Sequence, residues 1–154
     1  MKKHPRILAI DFGWKFIGLA VSDPLGVTAR GLPTLKRAHK RADLDHIREL
    51  AEALGVERVV VGHPVHLRGH AGERAREAER FAAGLRQELD LPVELYDERL
   101  TSVEAESLLR ERGERPPRTR QSRTQRIETI NRLAAAVLLQ SYLDDRRTHR
   151  TPAE

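Results

Sequence analysis

Asp11 stands near the end of the apolar run Ile7-Leu8-Ala9-Ile10, with Gly13 close behind and a second apolar run from Phe16 to Val21. A carboxylate at the mouth of a buried central strand is costly to desolvate. Such a group survives when it binds something positive, a metal ion or a donor on a ligand. The plainer reading is an Asp capping a tight hairpin turn. A second acidic pair, Asp97-Glu98, directly follows the short run ending at Tyr96. Sheets with crossover helices gather ligands at such strand ends. Two carboxylates converging there, with a third group from a helix, make an oxygen-rich site for Mg²⁺ or Mn²⁺. Two such ions hold the attacking and leaving oxygens of an in-line phosphoryl displacement. The competing reading takes Asp97-Glu98-Arg99 as a solvated loop salt bridge.

The elements that must position these acids follow from periodicity. Residues 6–12 and 16–22 read as strands joined by Gly13-Trp14-Lys15, a hairpin. After the turn Asp23-Pro24-Leu25-Gly26, residues Val27 to Leu35 read as a third strand, held near an edge by Gly31 and Pro33. Leu44, Ile47, Leu50, Ala51 and Leu54 have helical spacing, closed by Gly55. Arg58 to Gly62 reads as a buried strand. A long helix follows with Ala75, Ala78, Phe81, Ala82, Leu85 and Leu89 on one stripe, and then a short strand from Pro92 to Tyr96. Thr101 and Glu104 form a capping box before a helix that Gly113 ends. The last helix is expected from about Thr124 to Asp145, with Leu133 to Leu139 buried on several sides. The order β-β-β-α-β-α-β-α-α predicts an α/β fold, a mixed sheet with helices on both faces.

The chain has 154 residues, which suits one domain over residues 1–145 with a polar tail at 146–154. Charged residues make up 33% and hydrophobic ones 39%, as expected of a soluble globular protein, and no apolar stretch is long enough for a membrane helix. The basic start, Met1 to Arg6, leads into an apolar run broken by Asp11, which is not a signal-peptide core. Zero cysteines exclude disulfides and thiolate metal sites and fit a reducing cytoplasm. The net charge of +5 favours polyanionic partners.

The run Ile10-Asp11-Phe12-Gly13-Trp14-Lys15-Phe16-Ile17-Gly18 through Pro24 resembles the opening of the YqgF/RuvX family. Val61-Gly62-His63-Pro64 with Gly69 and Gly72, Tyr96-Asp97-Glu98-Arg99-Leu100-Thr101-Ser102, and Leu133 through Asp144 resemble its other blocks, in the same order. The resemblance implies an RNase H-like fold related to RuvC resolvases. It further implies a metal-dependent nuclease that matures the 5′ end of pre-16S rRNA or resolves Holliday junctions. Carried over by position, Asp11 and Glu98 match two of the family's catalytic acids. Where the family has a third Asp, three residues before the double Ala of the last helix, this chain has Asn131. An Asn carbonyl ligates a hard cation without bringing charge, and Glu128, one turn earlier, is positioned to help. The expected catalytic set is therefore Asp11, Glu98 and Asn131, with Glu128 added for two Mg²⁺ or Mn²⁺ ions.

Arg110, Arg112, Arg115, Arg118, Arg120, Arg123 and Arg126 crowd the approach to the last helix, with only Glu111 and Glu114 between them. Arginine forks suit phosphate oxygens, so Arg115, Arg118, Arg120 and Arg123, together with Lys15 and Arg99, are expected to hold a phosphodiester backbone. Trp14 is the one candidate for stacking on a base; aromatic content is only 4%, so structured RNA or branched DNA fits better than a threaded single strand. His63, His66 and His70 match no finger spacing, and no cysteine joins them. Asp23 before Pro24 reads as an Asx turn. Two rivals are weighed against the nuclease. Asp11-Phe12-Gly13 with Gly18 also resembles the first phosphate loop of actin-like ATPases, but these need two such domains. A non-catalytic binding module would use the Arg patch alone. A monomer suffices to trim rRNA, whereas symmetric cleavage of a junction needs a homodimer.

Overall fold

The computed structural model describes residues 4–64, 70–97, 107–108, 110–111 and 119–150. Strands β1 (Ile7–Phe12) and β2 (Phe16–Ser22) are buried along their whole length. Neither shows polar alternation, because both faces of the sheet are covered. They form the expected hairpin, with Asp11 opposite Gly18 and Leu8 opposite Val21. Strand β3 (Ala29–Lys36) pairs antiparallel with β2 at one edge. It starts later than the sequence suggested, because the Asp23 carboxylate takes the N–H groups of Val27 (2.8 Å) and Thr28 (3.2 Å) for its turn.

Helix α1 (Lys40–Leu54) is capped by His39 and stopped by Gly55, whose φ of 64° is left-handed. Strand β4 (Arg58–His63) lies parallel to β1, and after α2 (His70–Glu88) strand β5 (Val93–Asp97) adds parallel to β4. The sheet order is β3-β2-β1-β4-β5. The expected helix ahead of the last one falls largely outside the described residues; Ser107, Leu108, Arg110 and Glu111 are helical.

Helix α3 (Arg120–Arg150) is longer than expected at both ends. It begins at Arg120, before Thr124, because Thr119 caps it: the Ser122 N–H donates to Thr119 Oγ1 at 2.9 Å. It also passes Asp145. Arg146 donates to the Tyr142 hydroxyl (3.0 Å) and Arg147 pairs with Asp144, so residues 146–150 continue the helix where a polar tail was expected. The helix is not buried all round. Ala134, Ala135, Leu138, Leu139, Tyr142 and Leu143 are buried, while Leu133, Ala136 and Val137 are only partly covered.

Two cores result. Leu8, Ile10 and Phe12 join Leu19, Ile47, Val61, Phe81 and Leu85 under α1 and α2. Ile7, Ala9, Ala20 and Val60 pack with Leu138, Leu139 and Tyr142 of α3 on the other side. Strand alternation therefore assigns Asp11, two residues after Ala9, to the α3 side. Among the described residues no helix is long and apolar enough to cross a membrane.

Candidate active site

Asp11 is only 1% exposed. Its register partner on β2 is Gly18, and a Cβ there would stand 2.2 Å from the backbone oxygen of Asn131 and 3.3 Å from Cβ of Ala135. The α3 backbone thus rests directly on β2 beside Asp11, which only glycine allows. The Asn131 amide oxygen Oδ1 lies 3.7 Å from where a Cβ on Gly13 would be. Asp11 and Asn131, remote in sequence, lie at one end of the sheet on one face, with Gly18 between β1 and the α3 backbone.

Glu128 is half-buried one helical turn before Asn131, and its carbonyl accepts the Thr34 hydroxyl at 2.8 Å, which ties α3 to β3. Asp97 closes β5 beside His63 and is exposed. Tyr96 packs in the α3 core, so alternation turns Asp97 away from Asp11. Glu98, Arg99, Thr101, Arg115 and Arg118 lie outside the described residues. Among the described residues no three His, Asp or Glu side chains gather to hold a metal ion. The donors at this end of the sheet are hard oxygens, the Asp11 carboxylate and the Asn131 amide. That chemistry suits Mg²⁺ or Mn²⁺. His63 Nε2 lies 2.8 Å from Glu79 Oε1, an α2 contact away from Asp11.

Trp14, 53% exposed, and exposed Lys15 form the β1–β2 turn. This turn is pinned by Arg37, which no motif marked and sequence reading missed. Its guanidinium donates to the carbonyls of Gly13 (3.0 Å) and Trp14 (3.1 Å), pairs with Glu77 (3.2 Å) and lies 4.2 Å over the Phe12 ring. Gly18 was also passed over as a contact point, although a glycine inside a strand is a usable signal of close backbone approach. Arg120 and Arg123 are exposed on the first turns of α3. Helical spacing puts Arg120, Thr124 and Ile127 on the stripe of Asn131.

Ser22 and Asp23 belong to the opposite end of the hairpin. Ser22 Oγ accepts the Ile7 N–H at 2.8 Å, and Asp23 organises its own turn. Burial would raise the Asp23 pKa, but the N–H donors of Val27, Thr28 and Gly26 outweigh it and hold the carboxyl below the usual range.

A family model described as RuvX, Holliday junction resolvase, matches residues 5–145. The chain belongs to the RuvX family. A relative from Koribacter versatilis, named "Putative pre-16S rRNA nuclease", is 47% identical over 143 residues, 93% of this chain and 89% of its own length. One of the same name from Geobacillus kaustophilus is 45% identical over 144 residues, covering 92% and 99%. Among solved structures, Thermus thermophilus RuvC in complex with a Holliday junction substrate superposes with a TM-score of 0.58 at 20% identity, over 94% of this chain and 97% of that one. Fowlpox virus resolvase with Holliday junction DNA gives 0.53 at 12%, over 91% and 97%. The RuvX-family chain thus shares the RuvC-like, RNase H-like fold that the resemblance of its four blocks implied.

Proposed function

We propose that this RuvX-family chain is a divalent-metal-dependent nuclease, cutting phosphodiester bonds of structured nucleic acid at the end of β1 beside α3. The observation that supports this most is the buried Asp11 carboxylate set beside the Gly18–Asn131 contact, in a family described by nuclease chemistry. Asp11, the Asn131 amide and Glu98 would hold the metal. Tyr96 faces α3 and Asp97 faces away from Asp11, so Asp97 is left out of this set, and Glu98 enters it by the family resemblance. Glu128 is the reserve ligand. A bound divalent ion supplies Lewis-acid polarisation and charge neutralisation at phosphate.

The chain's own residues do the rest. Burial in packed strands fixes the Asp11 carboxylate at no further entropic cost. Asn131 holds the neutral corner of the site. Lys15, Arg120 and Arg123 bind backbone phosphates without reading sequence, and Trp14 offers a stacking face. Pre-16S rRNA is the favoured substrate, since the relatives carry that name, and a cysteine-free chain accords with cytoplasmic action. The family description favours branched DNA as the second reading, for which a dimer is required.

The test pairs wild type with Asp11→Asn on an RNA carrying the 5′ extension of 16S rRNA and on a four-way DNA junction, with and without Mg²⁺ or Mn²⁺. The expected result is metal-dependent cutting of the RNA that Asp11→Asn removes while binding persists. Cutting of the junction alone would select the second reading. Metal-indifferent binding without cutting of either would leave a binding module.

A further inference from the structure

A cavity of about 390 Å³ opens on the α1/α2 side of the sheet, at the same end as Asp11. Its floor is the stacked pair Phe12 and Phe81, with ring centroids 4.7 Å apart. Arg37, His39, Lys40 and Arg80 line it. Two acids also border it, but both are engaged. Glu77 pairs with Arg37 at 3.2 Å, and buried Asp43 accepts the Ala38 N–H at 3.1 Å. Among the described residues Lys40 and Arg80 have no acid partner, although nearby Arg41 and Arg48 are both tied to Asp45 and Glu88. The Lys40 stem lies across Gly84 of α2, where a Cβ would meet Lys40 Cε at 3.3 Å, so the ammonium has been carried to this cleft over a glycine. His39 spends Nδ1 on the Ala42 N–H, which leaves Nε2 for another partner.

Apolar rings below, and at the mouth Lys40 and Arg80 with no acid partner among the described residues, are complementary to a nucleotide, with its flat base and anionic phosphate. The connection to Asp11 is covalent and short. Asp11 and Phe12 are consecutive on β1, about 3.8 Å apart at Cα, and point to opposite sides. Around the sheet end between the two sides runs the Gly13-Trp14-Lys15 turn, which Arg37, itself a wall of the cavity, holds by two carbonyls.

We propose that this cavity binds a nucleotide of the substrate strand next to the scissile one, the strand passing over the Trp14–Lys15 turn from the Asp11 side to the Phe12 side. The proposal rests on the nuclease reading for the identity of the strand, but its binding chemistry is testable without cleavage. Because neither cation has an acid partner among the described residues, Lys40→Glu/Arg80→Glu should fold, and Lys40→Ala/Arg80→Ala is the milder alternative, both checked by thermal unfolding.

The binding assay uses a fluorescent single-stranded oligoribonucleotide in EDTA, where no metal-dependent cutting occurs, over a range of salt concentrations. Loss of two phosphate contacts should weaken binding by roughly tenfold or more and lower the log–log salt slope by about 1.4, at about 0.7 per phosphate. In parallel, adenosine monophosphate titrated into the labelled wild-type protein should shift the resonances of Phe12, Ala38 and Phe81 before those of Asn131. Unchanged affinity and slope in a folded double variant, or shifts confined to the α3 side, would overturn the proposal. If wild type binds through this cleft but never cuts with metal, the nuclease reading fails and the cleft stands. If it cuts and the double variant binds and cuts equally well, the cleft fails alone. Shifts from the free nucleotide with no change in strand binding would mean a mononucleotide site, which also refutes the strand path.

Discussion

Replacing Gly18 by Ala should damage both stability and the site, because the added methyl group has nowhere to go. It would stand 2.2 Å from the Asn131 carbonyl oxygen and 2.8 Å from the carbonyl carbon, both backbone atoms of α3. Reaching ordinary contact requires the helix to retreat by about 1 Å from a sheet packed to interior density. Overpacking of this kind costs about 1–3 kcal/mol. Backbone on both sides puts Gly18 at the top of that range, a fall in Tm of roughly 10 °C for a chain of this size. The same shift withdraws Asn131 from Asp11, so metal-dependent cleavage should fall further than the unfolded fraction explains. The control is Gly31→Ala, on the neighbouring strand and also against α3. There the Cβ meets Arg132 Cγ at 2.5 Å, the stem of an exposed, flexible side chain that can swing aside. That change should cost less than about 1 kcal/mol, because lower entropy of the unfolded chain offsets part of the clash. Urea unfolding of the two variants, with cleavage measured well below each midpoint, makes the comparison. If Gly18→Ala is as stable as Gly31→Ala, the close seating of α3 on β2 is refuted.

Three further outcomes follow from the same geometry. The Tyr96 and Tyr142 hydroxyls have pKa values raised first by burial and then by hydrogen bonds to Asp145 and Glu94. Groups raised in the folded state stabilise below their unfolded pKa, so stability should hold up to about pH 10 and fall above it, and Tyr96→Phe/Tyr142→Phe should flatten that alkaline loss in urea titrations against pH. Arg37→Ala should cost about 1–2 kcal/mol and lower the fluorescence anisotropy of Trp14, the sole tryptophan, whereas Arg37→Lys should restore little because it lacks the fork; unchanged anisotropy would refute the latch. Asn131→Asp adds an anionic ligand and should tighten Mn²⁺ binding by calorimetry about tenfold; weaker binding would mean residue 131 does not face the ion.

The fold was legible wherever periodicity or a glycine spoke. The order of three opening strands followed by alternating helices and strands announced a mixed sheet covered on both faces, and Gly55 marked the end of α1. The extent of α3 was not legible, because Thr119 sits in a run of Arg and Pro that reads as loop, and Asp144 with Tyr142 extends the helix through side-chain contacts that no periodicity reveals. Asp11 was legible because a carboxylate closing an apolar strand is costly. Asn131 was singled out only by resemblance, since an amide in a helix carries no signal of its own. Arg37 was invisible, because its role lies in two carbonyls contributed by a turn over twenty residues away.

The shared cation is tested most directly by Mn²⁺ titration of the isotopically labelled protein, reading paramagnetic broadening residue by residue. Substoichiometric Mn²⁺ should first erase the amide signals of Asp11, Gly13, Gly18 and Asn131, and both Asp11→Asn and Glu98→Gln should restore them at the same metal concentration. Broadening centred elsewhere, or left intact by both substitutions, would contradict a metal held between β1 and α3.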